Sequence, residues 1–385
     1  MPTDNPVSKE EPIVTEIAFI DLKAQKEHLG GRIEASIAKV LDNGVFISGP
    51  EVAELERQLS AFCGARYSIT CANGTDALEL VMRAEGISPG HAVFVPAFTF
   101  VATAECVPTH GAVPVFVDVR ADSFNIDPVS LEAAVAEAKR QGLTPRMVVA
   151  VDLFGQPADY PALREICQRE GMTLVADAAQ GFGGRLHGKS VGTLGDYTTT
   201  SFFPAKPLGC YGDGGAVFTE DDERAAILRS LRIHGKGSDK YDNVRIGLNS
   251  RLDTLQAAIL MEKLSIFSEE IEARNRIAAR YETLLGGKVK TPMVIEGALS
   301  VWAQYTLVLE DRDAVIAACK AAGVPTAVYY PIPMSRQTGY RNFPVVPGGV
   351  PVSERLAGQV LSLPMHPYLD EATQDVIVGA VLTAI

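Results

Sequence analysis

Between Tyr67 and Thr219, short apolar runs alternate with segments of helical periodicity, and this alternation constrains the chain more than any other feature. Tyr67 to Ala72 reads as a strand, after which Asn73-Gly74-Thr75 opens a helix carrying Leu78, Leu80, Val81 and Met82. The unit recurs as strand Ala92 to Pro96 with helix Thr99 to Thr109, strand Val113 to Val119 with helix Pro128 to Gln141, and strand Met147 to Leu153 with helix Tyr160 to Glu170. Strands Thr173 to Ala176, Tyr197 to Phe203 and Ala216 to Thr219 follow. Apolar strands interleaved with helices predict an α/β fold, with a mostly parallel sheet covered on both faces. Functional groups in such sheets collect beyond the carboxyl ends of the strands.

Two helical segments precede this region, Ala24 to Leu41, broken at Gly30-Gly31, and Pro50 to Phe62, stopped by Gly64. Residues 1–15 read as a loose leader, without the basic start and apolar core of a signal peptide. After Arg251 the pattern changes to a long helical stretch, Leu252 to Leu285. Strand Trp302 to Leu309, helix Asp313 to Ala322, strand Pro325 to Tyr329 and a final helix from Glu371 then follow. The expected organisation is a large α/β domain over 16–251 and a smaller α+β domain over 252–385.

Composition narrows the function classes. A net charge of −12 argues against a polyanion as partner. No apolar run reaches the length of a membrane span, which points to a cytoplasmic protein without a membrane partner. The six cysteines (63, 71, 106, 167, 210, 319) form no C-x-x-C pair and read as reduced thiols, and the six histidines never fall at metal-ligand spacing.

One lysine has an unusual address. Lys206 lies in Ser201-Phe-Phe-Pro-Ala-Lys206-Pro-Leu-Gly-Cys-Tyr-Gly212, between an apolar run and a glycine-rich turn. A desolvated lysine has a lowered pKa and can act as a nucleophile toward a carbonyl; an ordinary lysine would simply cap a solvated loop. Asp177, at the end of strand Thr173 to Ala176, puts a carboxylate where a pyridine nitrogen could be held, or else caps a strand end. Gly74-Thr75 at a helix start could cradle a phosphate or serve only as turn chemistry. Phe100, opening a helix after another strand, could stack on a flat cofactor or fill core. Gly183 to Ser190 matches the spacing G-x-x-x-x-G-K-[ST] of a nucleotide-binding loop. A glycine-broken segment rather than a helix follows it, so Gly188-Lys189 reads better as a hairpin turn.

Lys206, Asp177, Gly74-Thr75 and Phe100, taken together, make the chain resemble the fold-type I pyridoxal phosphate enzymes. The likeness narrows to the DegT/DnrJ/EryC1/StrS nucleotide-sugar aminotransferases. Further marks are Ser48-Gly49-Pro50, Asp177-x-x-Gln180, Ser201-Phe202-x-x-x-Lys206, Gly212-Asp213-Gly214-Gly215, Arg232-x-His234-Gly235 and Gly247-x-Asn249-x-Arg251-Leu252. The resemblance runs from Ile20 to Pro367. It implies that Lys206 binds the aldehyde of pyridoxal 5'-phosphate and shuttles the proton, and that Asp177 holds the ring nitrogen with Gln180 beside the ring. It also implies that Gly74, Thr75 and Ser201 take the phosphate and that Phe100 stacks. Asn249 would reach the phosphate of a partner subunit's cofactor, which makes the enzyme a homodimer with shared active sites.

Pro204 to Gly215 look most like the branch that aminates UDP-2-acetamido-2-deoxy-3-oxo-glucuronate, with glutamate as donor, for bacterial lipopolysaccharide and O-antigen synthesis. A dTDP-linked 3-oxo- or 4-oxo-6-deoxyhexose is the alternative acceptor. Arg251 is then the candidate for the uronate carboxylate, or an interface ion pair. Tyr329 and Tyr330 would line the substrate site, although Tyr329 stands where many relatives carry histidine and offers a neutral phenol. A relative that binds the cofactor without transamination is disfavoured, because dehydratase relatives carry histidine at the position of Lys206.

Overall fold

The computed structural model describes residues 17–239 and 241–385; the leader expected over 1–15 lies outside them. Seven strands form the main sheet: β1 (Tyr67–Cys71), β2 (His91–Pro96), β3 (Val113–Val117), β4 (Thr144–Val151), β5 (Thr173–Asp177), β8 (Tyr197–Ser201) and β9 (Gly215–Thr219). A small hairpin, β6 (Arg185–Leu186) with β7 (Lys189–Ser190), comes between β5 and β8. The order across the sheet is β1-β9-β8-β5-β4-β2-β3. Only β9 runs against its neighbours; the pairs from β8 through β5, β4 and β2 to β3 are all parallel. The carboxyl ends of β1, β2, β4, β5 and β8 therefore share one rim with the amino end of β9.

Helices cover both faces, as the apolar strands require. α4 (Gly74–Ala84), α5 (Ala102–Thr109), α6 (Pro128–Arg140), α7 (Tyr160–Glu170) and α8 (Asp222–Leu231) bury their stripes in one cluster with Val93, Val149 and Val175. α3 (Pro50–Cys63), α9 (Thr254–Leu264) and the start of α10 (Phe267–Leu285) share a second cluster with Phe202 and Phe218. α1 (Leu22–Leu29) and α2 (Arg32–Asn43) lie outside α9, with Leu29 and Ile33 packed on Ile259 and Ile266. The break expected at Gly30-Gly31 separates α1 from α2.

A third cluster is built from the end of α10, β11 (Tyr305–Val308), α11 (Arg312–Ala321), β12 (Val360–Leu363) and α13 (Glu371–Leu382). A short strand β10 (Ala298–Leu299) extends the β6–β7 hairpin. The long stretch from Leu252 is two helices rather than one. Ser265 hydroxyl donates to the Glu262 carbonyl, a side-chain bond that competes with continued helix where α9 ends. Residues 325–329 make a single bridge, Ala327 to Ser362, instead of the expected strand. Pro325 has no N–H, and the apolar run β12 takes the pairing with β11. β12 follows α12 (Pro351–Gln359), whose Val352 and Ser353 N–H groups are capped by Asp118 just beyond β3. We propose the division of the chain at 251/252 as one of organisation only: Leu252, Ala257 and Leu260 pack into the same cluster as Phe202.

Candidate active site

A cavity of about 640 Å³ opens at the rim where these strand ends meet. β1 passes through Asn73 into α4, and the Asn73 side chain accepts from the Asp76 N–H at 2.7 Å, capping the helix. The remaining first-turn N–H groups have no partner within the helix. Gly74 is held against Ser201 at the end of β8, so closely that a Cβ on residue 74 would lie 2.7 Å from the Ser201 Cβ. Gly215 is equally constrained, since a Cβ there would lie 2.4 Å from the Asn73 carbonyl oxygen. The two glycines leave bare backbone where a bulky anion would need it.

Asp177, the last residue of β5, is buried. Its Oδ2 accepts from the Thr103 hydroxyl at 2.9 Å and its Oδ1 from the Ala179 N–H at 3.2 Å. Burial raises its pKa, while those two donors and the Lys206 ammonium act the other way. Lys206 lies in the same cavity, just beyond β8; burial lowers its pKa and Asp177 partly offsets this. A desolvated amine facing a buried carboxylate is nucleophilic chemistry in readiness.

Gln180 is fixed at both ends of its amide. Its Oε1 accepts from the Phe154 N–H at 2.7 Å, and its Nε2 donates to the Tyr330 hydroxyl at 3.1 Å. Phe100 is 52% exposed, too open for a core phenylalanine, and its ring centroid is 6.2 Å from that of Tyr330. Tyr329 and Tyr330 line the cavity with it. Thus Gly74, Thr75, Phe100, Asp177, Gln180, Ser201, Lys206, Tyr329 and Tyr330, scattered over more than two hundred residues, share one cavity.

Asn249 and Arg251 do not line it. Arg251 Nη2 donates to Asn249 Oδ1 at 2.6 Å, and Arg251 borders a separate cavity of about 120 Å³ with Ser48, Gly49 and Arg232. The Ser250 hydroxyl accepts from the Ala72 N–H at 3.2 Å, so this strip passes directly behind the start of α4. The Gly183–Ser190 segment contains the β6–β7 hairpin, with His187 and Gly188 at its turn, both at positive φ, and a single three-residue 3-10 turn, Val191–Thr193, follows Ser190 in place of the α-helix such a loop needs. A nucleotide-binding loop there is ruled out by this geometry.

A model of the DegT/DnrJ/EryC1/StrS aminotransferase family matches residues 27–382. The chain belongs to this family. It is 48% identical to the UDP-2-acetamido-2-deoxy-3-oxo-D-glucuronate aminotransferase of Pseudomonas aeruginosa, over 94% of this chain and 99% of that one. The structure is similar to that of a DegT/DnrJ/EryC1/StrS aminotransferase from Brucella abortus (TM-score 0.94, 52% identity, 95% and 99% of the two chains). It is also similar to NtdA of Bacillus subtilis with the bound cofactor PMP (TM-score 0.83, 31% identity, 95% and 83%).

The residues present fit the pyridoxal phosphate of an aminotransferase. The Gly74–Ser201 contact and the start of α4 suit its phosphate, Asp177 its basic nitrogen and Lys206 its aldehyde. Reading the sequence missed Thr103 and Asp152. Thr99, in the bend before α5, and Thr103, in its first turn, stand four residues apart with their hydroxyls 3.3 Å from each other, and that spacing was the available signal. Asp152 directly follows β4 beside Asp177, with its N–H donating to the Asp177 carbonyl at 3.0 Å.

Proposed function

We propose that this chain is a pyridoxal phosphate-dependent aminotransferase that converts UDP-2-acetamido-2-deoxy-3-oxo-glucuronate to the 3-amino sugar, with glutamate as donor. The observation that carries the reading is the half-buried, partly desolvated Lys206 sharing with Asp177 a cavity that also holds the start of α4. The choice of sugar rests on the Pseudomonas aeruginosa relative.

Pyridoxal phosphate, when bound, supplies an electron sink through which nitrogen passes between an amino acid and a keto sugar. The Lys206 amine would hold the cofactor's aldehyde through Nζ and, when free of it, would move a proton at the carbon that exchanges nitrogen. Asp177 would hold the ring nitrogen in its protonated form. Gly74, Thr75 and Ser201 take the phosphate, helped by the positive end of α4. Phe100 would stack on the ring, with Gln180 beside it. Tyr329 and Tyr330 face the sugar, and the forked guanidinium of Arg251 suits the uronate carboxylate.

The enzyme works as a homodimer in which Asn249 and Arg251 serve the partner's cavity. Phe46, Ile47 and Ile246 are 47%, 45% and 87% exposed, an apolar surface that a second copy would cover. Phe46 and Ile47 are bonded to Thr254 and Asp253, just past Arg251. We place the reaction in the cytoplasm, serving lipopolysaccharide and O-antigen assembly.

Absorbance and product mass test this. The purified protein should be yellow, and its visible band should shift on adding glutamate. Mass spectrometry should then find a 3-amino product from the UDP-linked 3-oxo-uronate in a panel of UDP- and dTDP-linked 3- and 4-keto sugars. Amination of the neutral sugars alone would overturn the substrate, and a protein that takes up no cofactor would overturn the class.

A further inference from the structure

Asp177 is gripped by a residue of α5 to which no role has yet been given. Thr103, 1% exposed on α5, donates its hydroxyl proton to Asp177 Oδ2. An ionised carboxylate only accepts, so the direction of that bond is set. Thr99, 2% exposed, lies 3.3 Å from the Thr103 oxygen. With the Thr103 proton committed to Asp177, Thr99 is the donor of the pair, and both hydroxyl protons point toward the carboxylate. The same helix reaches the phosphate end of the site, since Cys106 Sγ lies 3.6 Å from the Thr75 carbonyl oxygen.

We propose that Thr103, with Thr99 behind it, is the positioning residue that aims Asp177 at the cofactor's ring nitrogen and favours its charged form; this rests on the role given to Asp177 above. Asp177 needs such support. Burial works against its charge, and Asp152 just past β4, the Tyr160 and Tyr330 phenols and the Cys106 thiol on α5 all lie within electrostatic range of it. Three contacts favour the anion: the Ala179 N–H, the Thr103 hydroxyl and the Lys206 ammonium. Lys206 is the one whose bonding changes during turnover. Thr103 and Ala179 stay put, and only Thr103 can be removed by changing a side chain.

The test compares wild type with Thr103→Val, Thr103→Ser and Thr99→Val. It reads the pyridoxal phosphate dissociation constant by equilibrium dialysis and the pH dependence of the bound cofactor's visible band. Loss of a hydrogen bond to a charged group predicts cofactor binding weaker by roughly ten- to a hundredfold in Thr103→Val, with a displaced absorbance titration. Thr103→Ser should behave as wild type, and Thr99→Val should move both readouts in the same direction by about two- to fivefold. A folded Thr103→Val protein that matches wild type in both readouts overturns the proposal. If that variant does not fold, Thr99→Val decides: a shift supports the pair and no shift overturns it. Wild-type protein that binds no pyridoxal phosphate would instead overturn the parent reading, so the two failures are distinct.

Discussion

Gly74 packs on Ser201 with no room for a methyl group between them: a Cβ at position 74 would stand 2.7 Å from the Ser201 Cβ. The contact joins the first turn of α4 to the end of β8, the two elements proposed to share the cofactor phosphate. Gly74→Ala must push them apart. We expect at least a tenfold loss of pyridoxal phosphate affinity, with far-ultraviolet circular dichroism unchanged. Retention of wild-type affinity would mean that the phosphate is held elsewhere.

Shared active sites predict complementation. Lys206→Ala and Asn249→Ala should each abolish most transamination as pure dimers. A mixed dimer pairs an intact Lys206 on one chain with an intact Asn249 on the other, which leaves one whole site. Activity should therefore return when the two variants are unfolded and refolded together. Sites contained within single chains would stay silent in the mixture.

Asp152 carries a pH signature. It is fully buried; Tyr160 hydroxyl donates to its Oδ1 at 2.7 Å, and burial pushes its pKa up to about 8. A carboxyl whose folded pKa lies above its unfolded value binds more protons in the folded state. Its contribution to stability is complete below the ordinary carboxylate range and is lost as pH rises through about 8. Urea unfolding of cofactor-free protein should therefore show wild type losing stability relative to Asp152→Asn between about pH 5 and pH 8. Parallel curves for the two proteins would contradict a neutral Asp152.

Lys263 on α9 has the opposite sign. Its side chain is fully buried, and among the described residues its ammonium has no hydrogen-bond partner; it lies 4.2 Å from the centroid of the Tyr211 ring. Burial lowers its pKa to about 8. A base with a depressed folded pKa costs stability at pH values below that pKa, and the cost disappears above the ordinary lysine range. Lys263→Met keeps the apolar stem and removes the charge, so it should melt at the same temperature as wild type or about 2–4 °C higher at pH 7. That gap should close toward pH 10. A large drop in melting temperature would reveal a partner for the ammonium.

The α/β layering was legible because strand and helix periods differ and the strands between Tyr67 and Thr219 are apolar enough to be read singly. Asp177 was legible as a charge at a strand end, where the fold collects chemistry, and Lys206 as a charge set between an apolar run and a glycine-rich turn. Thr103 was not, because a threonine in a helix means little until the carboxylate it serves, 74 residues later, is beside it. α12 was hidden for the same reason: its capping carboxylate, Asp118, lies more than 230 residues upstream. The strand expected at 325–329 failed because pairing is a property of two segments, and β12 offers β11 the better partner.

The reversal of β9 bears on how Lys206 can move. Ser201 and Gly215 are direct cross-strand partners, so the excursion that carries the lysine leaves and rejoins the sheet at a single rung. Phe202 and Cys210 are bonded across the neck of this excursion, and both are buried. The loop is thus a tethered arm rather than a lid. Nζ can travel by rotating its own four-carbon stem while the main chain stays clamped, so the departure and return proposed for the amine would not need the sheet to give way.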